Sequence, residues 1–173
     1  MRAAGTILAI AVALALQTTL ARFLVRGVIG VDLVLVVVVY VALTTGSVTG
    51  LLTGAVAGLM QDVVTRVPSS IIGIGGLAKT IVGFIGGIIG TQFIVAQPLP
   101  RFVVFFAATL LDLAVFMGLY GLLDMGDFGS RPYAPMLRQA AANAVVGVVM
   151  FQLVEFLPGA VERRRAARPR LRR

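Results

Sequence analysis

Five side chains interrupt otherwise apolar stretches of this chain: Asp32, Asp62, Lys79, Asp112 and Asn143. An ionised group at the centre of a bilayer costs about 2.5–3.5 kcal/mol on insertion scales and usually faces the bundle interior, so each of these needs a reason. Lys79 is the only lysine, and the spacing predicts an ion pair between it and either Asp62 or Asp112. Such a group can serve as a buried pair that fixes helix register, as part of a path for a coupling ion or proton, or as a recognition point for a partner. Catalysis is poorly served. There is no histidine and no cysteine, which removes histidine acid/base chemistry, thiolate metal sites, haem ligation and disulfides. Ser47, Ser69 and Ser70 have no adjacent base. Asp62 and Asp112 could pair as in a membrane aspartic protease, but their surroundings lack the asparagine-containing signatures of the lipoprotein signal peptidases. Gly73 to Gly76 opens an apolar segment without the ligands of a phosphate loop. The expectation is a protein with no catalytic residues, cofactor or metal.

The elements that must hold these groups are membrane helices. Of 173 residues, 59% are hydrophobic and 13% charged, with a mean hydropathy of +1.02, outside the range of soluble domains. The chain is long enough for about six spans of roughly 20 residues with little left over, which predicts an all-α polytopic bundle of six transmembrane helices. Ala3 to Ala21 is too long for an h-region and ends in a poor cleavage site, so it reads as a retained first span. Gly27 to Val64 would form a single helix of about 57 Å, nearly twice the hydrocarbon thickness, and must therefore fold back, with the turn expected at Thr44 to Ser47. That leaves a short valine-rich second span, Val31 to Leu43, and a third ending near Asp62. The fourth is expected over Ile71 to Val95. Gln97 to Arg101, with two prolines, reads as a breaker, followed by a fifth span over Phe102 to Leu123 and a sixth over Met136 to Leu157. Asp124 to Pro135 is the longest polar loop.

The third span carries Gly46, Gly50, Gly54 and Gly58, a repeat of four that leaves a stripe without side chains on one helix face. In water each glycine would cost on the order of 1 kcal/mol relative to alanine. In lipid, helices associate by close approach at small residues, which offsets that cost. The fourth span has its own pairs, Gly83/Gly87 and Gly86/Gly90, and the two glycine faces are expected to pack on each other. The other use of such a stripe is to receive a partner's helix. On that reading Gly54→Leu would abolish co-purification with the partner and spare the monomer.

Net charge is +8, and seven basic residues lie in the last eleven positions: Arg163, Arg164, Arg165, Arg168, Arg170, Arg172 and Arg173. A basic tail after a span predicts a cytoplasmic C-terminus attracted to anionic lipid, at about 1 kcal/mol per residue near the surface. With six spans, both termini are then cytoplasmic. The division expected is one transmembrane domain, 1–158, and a basic tail, 159–173. No aromatic residues are interleaved with these arginines, which argues against nucleic acid.

Taken in order, these motifs resemble the rod shape-determining protein MreD family. The resemblance rests on Val31-Asp32-Leu33 opening the second span, Gly58-Leu59-Met60-Gln61-Asp62 closing the third, Gly73-Ile74-Gly75-Gly76-Leu77-Ala78-Lys79-Thr80 leading to Gly83-Phe84, and Asn143 followed by Phe151 before a basic tail. A proline commonly precedes the first aspartate in that family, where this chain has Val31. The resemblance implies a non-catalytic scaffold in the bacterial inner membrane. In the rod-elongation complex it would bind MreC and accompany RodA, a class B penicillin-binding protein and MreB in lateral peptidoglycan synthesis. The family's fold is similar to that of the substrate-binding components of energy-coupling-factor vitamin transporters, which supplies the alternative function. The absence of tryptophan and histidine and the presence of only three tyrosines argue against a vitamin pocket.

Overall fold

The computed structural model describes residues 2–24, 30–65, 71–92, 97–123 and 133–156, with side chains from residue 5 to residue 19 in the first of these segments. They form six helices: α1 (Arg2–Leu24), α2 (Leu33–Thr45), α3 (Ser47–Val64), α4 (Ile74–Gln92), α5 (Pro98–Leu122) and α6 (Tyr133–Phe156). Among the described residues α3, α4, α5 and α6 are long and apolar enough to cross a membrane, and Gly5–Thr19 and Leu33–Thr45 are shorter apolar helices.

Helix α2 is the axis of the bundle and touches every other helix. Its sequence, LVLVVVVYVALTT, is apolar all round, and nine of its thirteen residues are buried. β-Branched residues are mediocre helix formers in water, but in lipid the backbone must bond internally, and helix is the way to do so. The valines then fill two cores. Leu35, Val36, Val39 and Leu43 pack with Val82, Phe105, Ala108, Ala144 and Phe151. Val34, Val37, Val38 and Val41 pack with Ile10, Ala13, Leu14 and Ala57.

One residue separates α2 from α3. Gly46 adopts φ 102°, a region costly for a side chain, while its N–H donates to Ala42 O at 3.0 Å and its carbonyl accepts from Gly50 N–H at 2.9 Å. The fold-back expected at Thr44 to Ser47 is thus a single-glycine corner. At 1.5 Å per residue, α2 is about 20 Å long, short of a hydrocarbon core of roughly 30 Å. Its first turn accordingly lies among neighbouring helices, with Asp32 buried as its N-cap.

The region read as a breaker, Gln97 to Arg101, is a helix start. Gln97 is the N-cap and Pro98 the first helical residue, a position where proline's missing N–H is no loss. This places Arg101 in the first turn of α5, where it is buried, instead of in a loop. The sixth helix likewise begins earlier than expected, at Tyr133.

Candidate functional site

Two constructions dominate the interior. The first is the seam between α3 and α4, the most intimate helix pair in the molecule. A Cβ on Gly50 would strike Gly83 O and lie 2.7 Å from Ala42 Cβ. One on Gly54 would strike Lys79 O, and one on Gly58 would lie 2.6 Å from Gly76 Cα. From the other side, a Cβ on Gly83 would strike Gly50 O. Gly87 and Gly90 meet the α2–α3 corner at Ser47 and Leu43. Gly86 has ordinary room, 3.5 Å from Ala42 Cβ, and Gly46 is needed for its conformation. Backbone lies on backbone along the whole seam. The faces of Gly50, Gly54 and Gly58 are therefore filled from within the chain and are not open to a partner's helix. A further notch of this kind, Gly147 of α6 against the Phe105 ring, with a virtual Cβ 2.5 Å from the ring, was not singled out in the sequence because an isolated glycine carries no period.

The second is a polar network that joins five helices. Lys79 Nζ of α4 lies 2.9 Å from Asp32 Oδ2 and 3.4 Å from Asp112 Oδ2 of α5. Asp32 Oδ1 accepts from Leu35 N–H at 2.9 Å, capping α2, and from Gln61 Nε2 of α3 at 3.3 Å. The Asp32 N–H donates to Asn143 Oδ1 of α6 at 2.9 Å. Asn143 Nδ2 donates to Thr109 Oγ1 at 3.3 Å, and Thr109 in turn donates to Phe105 O at 2.9 Å. Asn143 is completely buried (0% exposed), and the two bonds use its carbonyl and amide ends separately, which fixes its orientation.

Sequence reasoning expected Lys79 to choose between Asp62 and Asp112. The structure gives it Asp112 and Asp32. In the sequence Asp32 lies near the start of a span, away from the depth of Lys79. The shortness of α2 brings that start down to the level of Lys79. Asp62 has a different occupation: its Oδ2 accepts from the backbone N–H groups of Gly73, Gly75 and Gly76 at 2.8, 3.1 and 3.3 Å. It caps α4 from the end of α3, satisfying donors that a helix N-terminus leaves orphaned and placing a negative charge at the positive end of the dipole. Asp62→Ala should therefore lower the stability of the bundle by about 1–2 kcal/mol, read as a drop in the thermal unfolding midpoint in mild detergent. Asp62→Asn should recover part of it by keeping an acceptor. Equal midpoints for Asp62→Ala and wild type would refute the cap.

At the opposite end of α5 and α6, Arg101 makes a paired contact with Glu155, Nη1 to Oε2 at 2.8 Å and Nη2 to Oε1 at 2.7 Å. Its guanidinium lies 4.2 Å from the Phe151 ring centroid. Sequence reasoning missed this pair, although antiparallel neighbours place the fourth residue of α5 level with the penultimate residue of α6. The basic tail, the loop at 124–132, Arg66 and the short loop around it lie outside the described residues.

Over the Asp32–Lys79–Asp112 cluster opens a cleft of about 240 Å³, lined also by Gln61, Asp62, Phe116, Tyr120 and Gln139. Among the described residues no group of histidine, cysteine, aspartate and glutamate is arranged to hold a metal ion.

A sequence profile of the family described as rod shape-determining protein MreD matches residues 2–158, nearly the whole chain. No curated protein and no solved structure matches it.

Proposed function

The chain belongs to the rod shape-determining MreD family, and from that premise we propose that it is a non-catalytic scaffold of the cell-elongation complex in the bacterial inner membrane. A cell-shape role and a multi-pass membrane location come with the family and with the apolar helices. The finer reading is that it binds MreC and sits beside RodA, a class B penicillin-binding protein and MreB, supporting lateral peptidoglycan synthesis. Both termini would be cytoplasmic, with the arginine tail against anionic lipid. The observation that carries this reading is the family match over residues 2–158.

The interior shows how such a scaffold would be built. Its costly groups, the glycines and the buried charges, are spent on fitting its own helices together. Outward apolar faces remain for partners, among them Ile7, Leu8, Val12 and Leu16 on α1, Leu137, Val145, Val149 and Leu153 on α6, and Val48, Leu52 and Val56 on α3. This reading gives partner contact to the outward faces of α1 and α6 and to the loop from Asp124 to Pro135, with the glycine faces kept for internal packing. Mild-detergent purification of the tagged chain should bring down MreC and synthase subunits. Leu153→Arg on α6, or Val12→Arg on α1, should reduce that recovery while leaving the monomer folded. Recovery of an ATPase pair with a bound vitamin instead would overturn the reading.

A further inference from the structure

The first turn of α2 is gripped by two helices that lie apart. A helix start leaves its leading N–H groups without backbone partners, and in lipid such donors have to be met from within the protein. Here three side chains meet them. Leu35 N–H donates to Asp32 Oδ1 at 2.9 Å, the cap of the same helix. The Asp32 N–H donates to Asn143 Oδ1 of α6 at 2.9 Å, and Val34 N–H donates to Gln17 Oε1 of α1 at 3.3 Å. Two of the three acceptors thus come from other helices. The backbones of α1 and α6 do not come within 8 Å of each other, Cα to Cα. Met150 of α6 packs against the core between α1 and α2, but this polar tie from α6 to α1 runs through Asp32, Leu33 and Val34.

The far end of α2 is held differently. At the Gly46 corner backbone bonds to backbone on both sides, and Leu43 is seated in the core with Val82 and Phe105. Upstream of the first turn, Gly30 to Asp32 is not helical, so the turn can unwind without breaking a preceding helix. The Asp32–Lys79 ion pair, 2.9 Å long, is made by the carboxylate and not by the N–H. It can therefore persist while the turn lets go of Asn143 and Gln17.

We propose that the first turn of α2 is a clasp that opens and closes locally, couples the placement of α1 to that of α6 while closed, and is kept shut by Asn143. A movement of α6 that withdraws Asn143 takes the acceptor from the Asp32 N–H, and the turn that engages Gln17 unwinds. Coupling between two faces of a protein rests on such an element, with two arrangements that both faces bias. The clasp works in the same way whichever proteins the chain assembles with.

The chain has no cysteine, so single thiols report opening in the full protein in mild detergent. Val34→Cys places one in the clasp, Val41→Cys one toward the far end of α2 and Ala78→Cys one in α4, all at buried positions. The readout is the rate of alkylation by N-ethylmaleimide. Asn143→Ala should speed alkylation at Val34→Cys by about tenfold or more, the factor that goes with stranding one buried donor. The rates at Val41→Cys and Ala78→Cys should not change. Thr109→Val separates the clasp from a merely structural asparagine: it removes the acceptor of Asn143 Nδ2, leaves Oδ1 on the Asp32 N–H, and should leave Val34→Cys slow. From the α1 side, Gln17→Leu should speed Val34→Cys by a smaller factor, its bond being the longer one. No acceleration at Val34→Cys in Asn143→Ala or in Gln17→Leu, an equal acceleration in Thr109→Val, or an equal rise at all three thiols would each overturn the proposal.

Discussion

Gly54→Ala should cost most of the folded protein, and Gly54→Leu essentially all of it. The added Cβ would collide with Lys79 O and lie 2.6 Å from Lys79 C and 2.9 Å from Thr80 N. These atoms are α4 backbone, so no rotamer change relieves the overlap and the helices must separate by roughly 1 Å, forfeiting a good share of the dispersion contact along the seam. Overpacking costs about 1–3 kcal/mol where side chains can adjust. Here neither side can, and the loss should reach about 3 kcal/mol or more against a total stability of order 5–15 kcal/mol. The internal control is Gly118→Ala on α5, where no atom of the described residues lies within 4 Å of the virtual Cβ. It should leave stability unchanged or slightly raised, because alanine is the better helix former. Monomer yield by size exclusion and thermal unfolding in mild detergent measure both. A Gly54→Leu protein that remains a folded monomer and loses only its partner would show that the stripe faces outward after all.

Lys79→Met should be nearly as damaging, for an electrostatic reason. It leaves Asp32 and Asp112 facing each other in an apolar interior without their shared cation, and removing one partner from a buried ion pair costs about 3–5 kcal/mol. Removing the carboxylates as well should restore much of the loss. Asp32→Asn keeps an N-cap acceptor for α2, so the triple variant Lys79→Met/Asp32→Asn/Asp112→Asn should be more stable than Lys79→Met alone. Asp62 gives the contrasting case. Because it bonds to the α4 backbone and not to the ammonium, Asp62→Asn and Lys79→Met should combine additively, within about 0.5 kcal/mol. Losses in the triple variant equal to the sum of its parts would dismiss the ion-pair account. Strong coupling between Asp62 and Lys79 would restore the pairing that the sequence first suggested.

The buried groups separate what could be read from the chain and what could not. That Asp32, Lys79, Asp112 and Asn143 lie inside the bundle followed from their types alone, since lipid tolerates none of them. Their partners did not follow. Pairing in a helical membrane protein depends on the relative depth of two residues on different helices, and depth depends on where each helix begins. The sequence places Asp32 at the entrance of a short second span, but says nothing of how deep that entrance lies beside the other helices. Two prolines place Arg101 in a loop when proline is the end of a helix, and in a first turn when it is the first helical residue. Starting α5 four residues earlier adds about 6 Å of helix, slightly more than one turn, which is the difference between a solvated cation and the Glu155 pair.

Composition and period, by themselves, determined that this is a bundle of apolar helices, that the third and fourth carry faces without side chains, and that no histidine or cysteine chemistry is present. These are local properties, set by what a lipid environment demands of each segment of backbone. Only the tertiary structure decided that α3 and α4 consume each other's glycine faces, that Lys79 bridges the start of α2 to the middle of α5, and that Arg101 meets Glu155 across α5 and α6. Each of these is a meeting between residues distant in the chain, fixed by helix length and rotation together, and no single segment carries that information.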